Sequence, residues 1–355
     1  MGEEPLTPEF TLPPGPEAHF AVGVLVATSR RPRDLERCLR ALARQERPAD
    51  DVLVVVRDID DATHRFLDKF DAVELGLSVR KITVAAPGVV AARNAGLAAC
   101  RTDILAIIDD DTAPHPDWIV RVIDHFARDQ TLGGLGGRDR CHDGERFDDR
   151  QEPVVGRIRW HGRLVGNHHL GFGSVRDVDY LKGANMTFRT VALVGKRFDE
   201  RLRGDGAGPH EDMAFSIAVR RGGWRLAYDP MVLVDHYAAK RDEPRHYVSV
   251  GRIGNTTEFS NHAFNIVVAV WEDLSAPRRM AFVIWYLLIG TRTCPGVAQA
   301  LRFTPKLGRG SWMRFVIAQR GLFAAYRMLG MLGGGAERSA PMFSMPGATD
   351  SEGAR

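Results

Sequence analysis

The chain has 355 residues, long enough for one large domain or two and for a sizeable core. Its 44% hydrophobic and 26% charged content is that of a globular protein. A net charge of +3, with no Lys/Arg-rich tract interleaved with aromatics, argues against nucleic-acid binding. Four scattered cysteines form no CxxC pair and fit a reducing compartment. No basic n-region with an apolar core opens the chain, and no apolar run reaches about twenty residues. The expected location is therefore cytoplasmic, with peripheral attachment to the inner face of the cell membrane as the variant.

In chain order, residues 1–20 read as a flexible Pro/Glu/Gly-rich tail. Strands are predicted at Ala21–Ala27, Val52–Val56, Val79–Val84 and Ile104–Ile108, alternating with helices at Asp34–Arg44, Ala62–Phe70, Val89–Cys100 and Pro116–Arg128. In the first helix Leu35, Cys38, Leu39 and Leu42 share one face. Such alternation means right-handed βαβ units and a parallel sheet. After Leu132 the pattern dissolves: residues 133–180, rich in Gly, Arg and His, read as irregular strands and loops over the site. An apolar element follows at Met186–Leu193, then a helix at Asp212–Arg221 and a last strand at Val232–His236. From about Asn261 the chain is helical, with apolar stretches at Ile266–Trp271 and Ala281–Ile289, and residues 334–355 read as a second tail.

The most informative feature is the end of the fourth strand. Ile104–Ile108 is short, apolar and β-branched, and runs straight into Asp109, Asp110 and Asp111. The carboxyl end of a buried strand is where open α/β sheets place ligands. Two like charges about 4 Å apart repel by roughly 4 kcal/mol at an effective dielectric of 20, a cost a divalent cation removes. Oxygen ligands select Mg²⁺ or Mn²⁺ over zinc.

Other polar groups are predicted at the same sheet edge. Thr28 and Arg30 leave strand one in a position suited to a nucleotide, although Thr28 or Ser29 would also serve as a plain helix cap. Asp58 leaves strand two, able to accept from a base N–H or a ribose hydroxyl. Arg93 lies one turn into a helix whose free amides suit a phosphate or base. Asn185 precedes the apolar element in Lys182-Gly-Ala-Asn-Met-Thr-Phe-Arg189. Glu211 and Asp212 open a helix whose dipole keeps a carboxylate ionised, as a general base requires, and His236 offers a neutral nitrogen to a metal.

Taken in order, ThrSerArgArgPro, ValValArgAsp, AlaArgAsnAlaGly, IleAspAspAspThr, GlyAlaAsnMetThrPheArg, GlyProHisGluAsp, TyrAspPro and AspHis resemble the family 2 glycosyltransferases over about residues 20–240. These are inverting nucleotide-sugar enzymes of the GT-A fold, a Rossmann-like, mostly parallel sheet flanked by helices. The resemblance implies a catalytic domain at 21–240, divided into a nucleotide-binding half (21–132) and an acceptor-binding half (133–240). A helical extension at 241–333 follows. It implies that Asp109 and Asp111 form the DxD motif, with Asp111 the direct ligand of Mn²⁺ or Mg²⁺. Asp110 or Asp109 would lie against the ribose or donor sugar. Asp58 would contact the base, with Thr28 and Arg93 nearby. Asp212 would be the catalytic base, Glu211 would bind acceptor hydroxyls, and His236 would hold metal or diphosphate. The chain departs from the family at Arg57-Asp58, where two acidic residues are common, and at Ser29-Arg30, where an aromatic-Asn pair is.

The implied partners are a nucleotide-sugar donor, UDP-linked first, and a glycan or lipid-linked acceptor. A sugar-phosphate nucleotidyltransferase would need a Gly-rich loop after strand one, and Ala27–Arg33 has no glycine. A non-catalytic scaffold would not need Asp111 and Asp212 together. Ala281–Ile289, flanked by Arg278, Arg279 and Arg292, is too short to span a bilayer. It suits either an interfacial helix or one packed on the catalytic domain or in a homodimer.

Overall fold

The computed structural model describes residues 20–142, 144–204, 209–237 and 256–330. The tails expected at 1–20 and 334–355 lie outside these, except Phe20, which is buried in the core rather than flexible.

The first half alternates as predicted: β1 (Val22–Thr28), α1 (Pro32–Leu42), β2 (Asp51–Arg57), α2 (Asp61–Leu67), β3 (Val79–Val84), α3 (Val89–Ala99) and β4 (Ile104–Asp109). Helix α1 begins two residues before the expected Asp34 because Pro32, with no N–H to leave unpaired, fits the first turn. Then come β5 (Thr112–Pro114), α4 (Trp118–Arg128) and β6 (Leu132–Cys141). Three two-residue strands follow, β7 (Arg157–Ile158), β8 (Leu164–Val165) and β9 (Arg176–Asp177), then β10 (Asn185–Arg189), α5 (Glu211–Arg221) and β11 (Arg225–His236). Helices α6 (Thr256–Val270), α7 (Ala276–Leu288), α8 (Val297–Leu307) and α9 (Arg309–Met328) complete the described chain.

The central sheet runs β3-β2-β1-β4-β10-β6-β11-β5, with β9 on β11. Strands β3, β2, β1 and β4 are parallel, as the βαβ pattern demands. Beyond β4 the sheet is mixed: β10 is antiparallel to both β4 and β6, while β11 is parallel to β6. Strands β1, β2 and β4 are buried on both faces. Val24, Val54 and Ala106 pack toward α1 and α4, while Leu25, Val55 and Ile107 face the layer containing Phe188 of β10 and Phe215 of α5. Each such buried aliphatic side chain is worth about 1.5–3 kcal/mol.

Two expectations over residues 133–236 need correction. Leu132–Cys141 is one regular central strand of ten residues, where irregular short strands and loops were expected. Its glycines hide the periodicity and are there because neighbours press in. A Cβ on Gly137 would overlap the Val232 carbonyl, and one on Gly133 the Trp224 side chain. The last strand starts at Arg225 rather than Val232, continuing across Pro230 through a register shift between Asp229 and Leu233.

Helices α6, α7 and α9 pack on α5 and on Ile158. Phe264, Val267, Phe282 and Tyr286 share a core with Met213 and Ile217 of α5 and with Ile158. Ile266–Trp271 is thus buried, while Ala281–Ile289 divides, with Phe282 and Tyr286 inside and Ile284, Leu287 and Leu288 outside.

Candidate active site

Strand β4 delivers the three aspartates to the carboxyl edge of the sheet, beside the end of β1. Asp110 is buried: its Oδ2 accepts from Thr28 Oγ1 at 2.7 Å, and its Oδ1 pairs with Arg31 Nη1 at 2.9 Å. Burial pushes its carboxyl up to about 7 despite Arg31, with Asp111 adding to the rise. Asp111 reaches His236 Nε2 at 3.2 Å and Arg31 at 3.8 Å. Asp109, the most open of the three, pairs with Arg93 Nη2 at 3.0 Å. Arg31, Arg93 and His236 thus supply the countercharge the sequence reading assigned to a cation alone.

His236 arrives at the end of β11, registered with Thr112 of β5 and Cys141 of β6. Its Nδ1 lies 3.3 Å from Oδ2 of the fully buried Asp139, which also binds the Lys182 ammonium. Burial opposes charge on the ring, but hydrogen bonds to Asp111 and Asp139 override it and push His236 up to about 12. Asp139 is held well below the usual carboxylate range, because Lys182 and His236 outweigh its burial.

Among the described residues, two trios bring ligand atoms within 4.8 Å of one another: Asp109, Asp111 and His236, and Asp139, Cys141 and His236. In the second, Lys182 already occupies Asp139. The first offers two carboxylates and an imidazole, a donor set suited to Mn²⁺ or Mg²⁺. Asp139 then stands behind the imidazole, as carboxylates do behind metal-bound histidines.

Across the site, Arg93 is almost wholly buried and forks between Asp109 and Glu211 Oε1, each at 3.0 Å. It was expected to face a phosphate or base. In the structure it joins the aspartate motif of β4 to the start of α5. Burial and neighbouring Asp212 push the Glu211 carboxyl up, with Arg93 pulling against them. Asp212 accepts from the Gly183 and Met213 amides, each at 2.7 Å, at the N-terminus of α5. Gly183 must be small: a Cβ there would stand 2.8 Å from both terminal nitrogens of Arg93.

Thr28, Arg93, Asp109, Asp110, Asp111, Glu211, Asp212 and His236 are therefore linked through a single edge. Arg30 is exposed beside them with a left-handed backbone (φ 57°), its amide donating to Asp60. Asp58 lies at the end of β2, its Oδ1 accepting from the Ile59 amide at 3.0 Å. Asn185 does not open into the site. Its amide is buried and spent on Trp118 Nε1 and the carbonyls of Arg138 and Val232. Arg31, Asp60, Asp139 and Lys182 escaped the sequence reading. Arg31 and Lys182 stood inside the quoted motifs. Asp139 was masked by the glycines around it, and Asp60 by the acidic turn in which it caps α2 through Thr63.

Comparison with known proteins now has a structure to rest on. Residues 18–250 match the family model "Glycosyltransferase like family 2". A relative, the pre-mycofactocin glycosyltransferase of Mycobacterium tuberculosis, is 31% identical over 160 residues, 44% of this chain and 32% of that one. The chain thus spans about a third of that curated relative's length. Among solved structures, S. aureus TarS 1–349 in complex with UDP-GlcNAc is similar at TM-score 0.56 and 16% identity, covering 87% of this chain and 83% of the other. The mannosyltransferase PcManGT from Pyrobaculum calidifontis, in complex with GDP-Man and Mn²⁺, is similar at TM-score 0.50 and 18% identity, covering 90% and 86%. With these matches beside the edge just described, the chain belongs to glycosyltransferase family 2 and has the GT-A fold.

Proposed function

We propose that this glycosyltransferase moves a sugar from a nucleoside-diphosphate donor, a UDP-sugar first, to a hydroxyl of a glycan or lipid-linked acceptor, with inversion. The observation that carries the proposal is the Arg93 fork. It holds Asp109 and Glu211 on one guanidinium, which brings the aspartate motif up to the start of α5, where Asp212 follows Glu211.

Asp109, Asp111 and His236 would hold a Mn²⁺ or Mg²⁺ ion, which when bound neutralises charge on the leaving diphosphate. Asp212, fixed by two backbone amides, takes the proton from the acceptor hydroxyl as that oxygen attacks the anomeric carbon. The bond from the anomeric carbon to the diphosphate oxygen breaks on the opposite face. A single displacement with no covalent sugar–enzyme intermediate inverts the configuration. Asp58 and Arg30 lie exposed at the ends of β2 and β1, where base and ribose would seat.

The test is calorimetric binding of UDP, GDP, dTDP and ADP with and without Mn²⁺, on wild type and Asp111→Asn. One nucleotide should bind tightly, and only with both metal and Asp111. Asp212→Asn should keep that affinity while cutting nucleoside-diphosphate release in the presence of hydroxyl acceptors by about 10² or more. No nucleotide binding would favour a scaffold on the same fold. Undiminished transfer by Asp212→Asn would remove it as the base.

A further inference from the structure

The chain's 48 Lys/Arg and 45 Asp/Glu nearly balance, yet residues 276–330 hold nine Lys/Arg and no Asp/Glu. The rest of the chain is therefore net acidic, and the positive charge is concentrated on α7, α8 and α9. The same three helices leave large apolar side chains in solvent. On α7, Met280, Ile284, Leu287 and Leu288 are 63%, 49%, 45% and 51% exposed. Their spacing of four, three and one residues places them on one stripe, opposite the buried Phe282 and Tyr286. On α8 Leu301 is 58% exposed beside exposed Arg302 and Lys306. On α9 Trp312, Val316 and Phe323 are exposed along with Arg309, Arg320 and Arg327. Among the described residues no helix is long and apolar enough to cross a membrane.

We infer that the outer surface of α7–α9 docks on an anionic lipid bilayer, apolar residues entering the headgroup boundary and arginines pairing with lipid phosphates. Charge decides between this and the other natural occupant, a second copy of the chain. An isologous pair seated on this surface would set the exposed Arg302, Lys306, Arg309, Arg320 and Arg327 against their own copies. An anionic leaflet instead attracts each basic residue near its surface. Apolar side chains interspersed with arginines are the composition of an interfacial, non-spanning helix. The inference is independent of donor, metal and acceptor.

The experiment is flotation of the full-length protein with phosphatidylcholine vesicles, with and without phosphatidylglycerol, at low and high salt. Wild type should float with the anionic vesicles and lose affinity as salt rises. Ile284→Asp/Leu288→Asp should weaken binding by at least about tenfold, through lost apolar insertion. Arg302→Gln/Lys306→Gln, which spares the apolar residues, should weaken it by about fivefold per charge removed. Both pairs are exposed, and circular dichroism checks that each variant is folded. Absence of flotation, or equal flotation with neutral vesicles, overturns the inference. So does a dimer seen by light scattering that Leu288→Asp dissociates, since the face would then be a self-contact.

Discussion

Replacing Arg93 by Met removes the guanidinium that ties the two acidic motifs together while keeping an unbranched apolar stem. The two ion pairs it breaks are not equal. The Asp109 side chain is 38% exposed and water takes over its solvation, so that half contributes little. The Glu211 side chain is only 10% exposed and sits beside Asp212, so its charge is left buried and uncompensated. Breaking a buried pair from one side costs about 3–5 kcal/mol. Relief of Arg93's own desolvation trims this, and a loss of about 3 kcal/mol is expected in urea unfolding followed by tryptophan fluorescence above about pH 8, where Glu211 is ionised. The loss should also depend on pH. Burial and Asp212 already raise the Glu211 carboxyl to about 8 with Arg93 in place, and removing the guanidinium raises it further. Both forms therefore lose stability as pH rises above about 4.5, but wild type levels off near pH 8 while Arg93→Met keeps falling, so the gap between them opens above about pH 8. Arg93→Met/Glu211→Gln should recover most of the loss and abolish that slope. A loss under about 1 kcal/mol, or one independent of pH, would refute this account of the fork.

Arg93→Lys should behave more like Met than like wild type, since one ammonium cannot span two carboxylates, and urea unfolding will show which it follows. Gly183→Ala should cost about 1–3 kcal/mol in the same assay, because its methyl meets a guanidinium fixed on both sides; unchanged stability would mean Arg93 can retreat. At the other end of the site, hydrogen bonds to Asp111 and Asp139 favour the charged ring of His236, so a binding cation would compete with that proton. Mn²⁺ affinity, measured by calorimetry, should rise about tenfold per pH unit, and His236→Asn should remove the dependence. Asp139→Asn should weaken Mn²⁺ by about 10–100-fold without touching a ligand atom, whereas unchanged affinity would leave Asp139 a purely structural partner of Lys182.

Local pattern made much of this protein legible before folding. Runs such as Val52–Val56 and Ile104–Ile108 are apolar at every position, and only burial on both faces of a parallel sheet explains that. Because β4 could be read from its apolar run, Asp109–Asp111 could be placed at the carboxyl edge of the sheet from residue order alone. Where glycines erase the side-chain signal, the pattern failed. The ten-residue β6 and the Asp139 it carries look like loop until Trp224 and Val232 press against them from other elements.

Only the tertiary structure decided which polar residues spend themselves on one another. Asn185 sat in a motif that looked open to ligand, yet Trp118, 67 positions away, and the carbonyls of Arg138 and Val232 consume its amide. Arg93 looked free to meet a phosphate, yet it closes on Glu211 from 118 residues away. The charge and apolar content of residues 276–330 were written in the sequence, but which side chains turn outward was set by packing on α5 and α6. A sequence fixes the chemistry each residue carries and the period along its own element. Partner choice between distant groups is settled by the three-dimensional competition to satisfy buried charge and hydrogen bonds, which no local window contains.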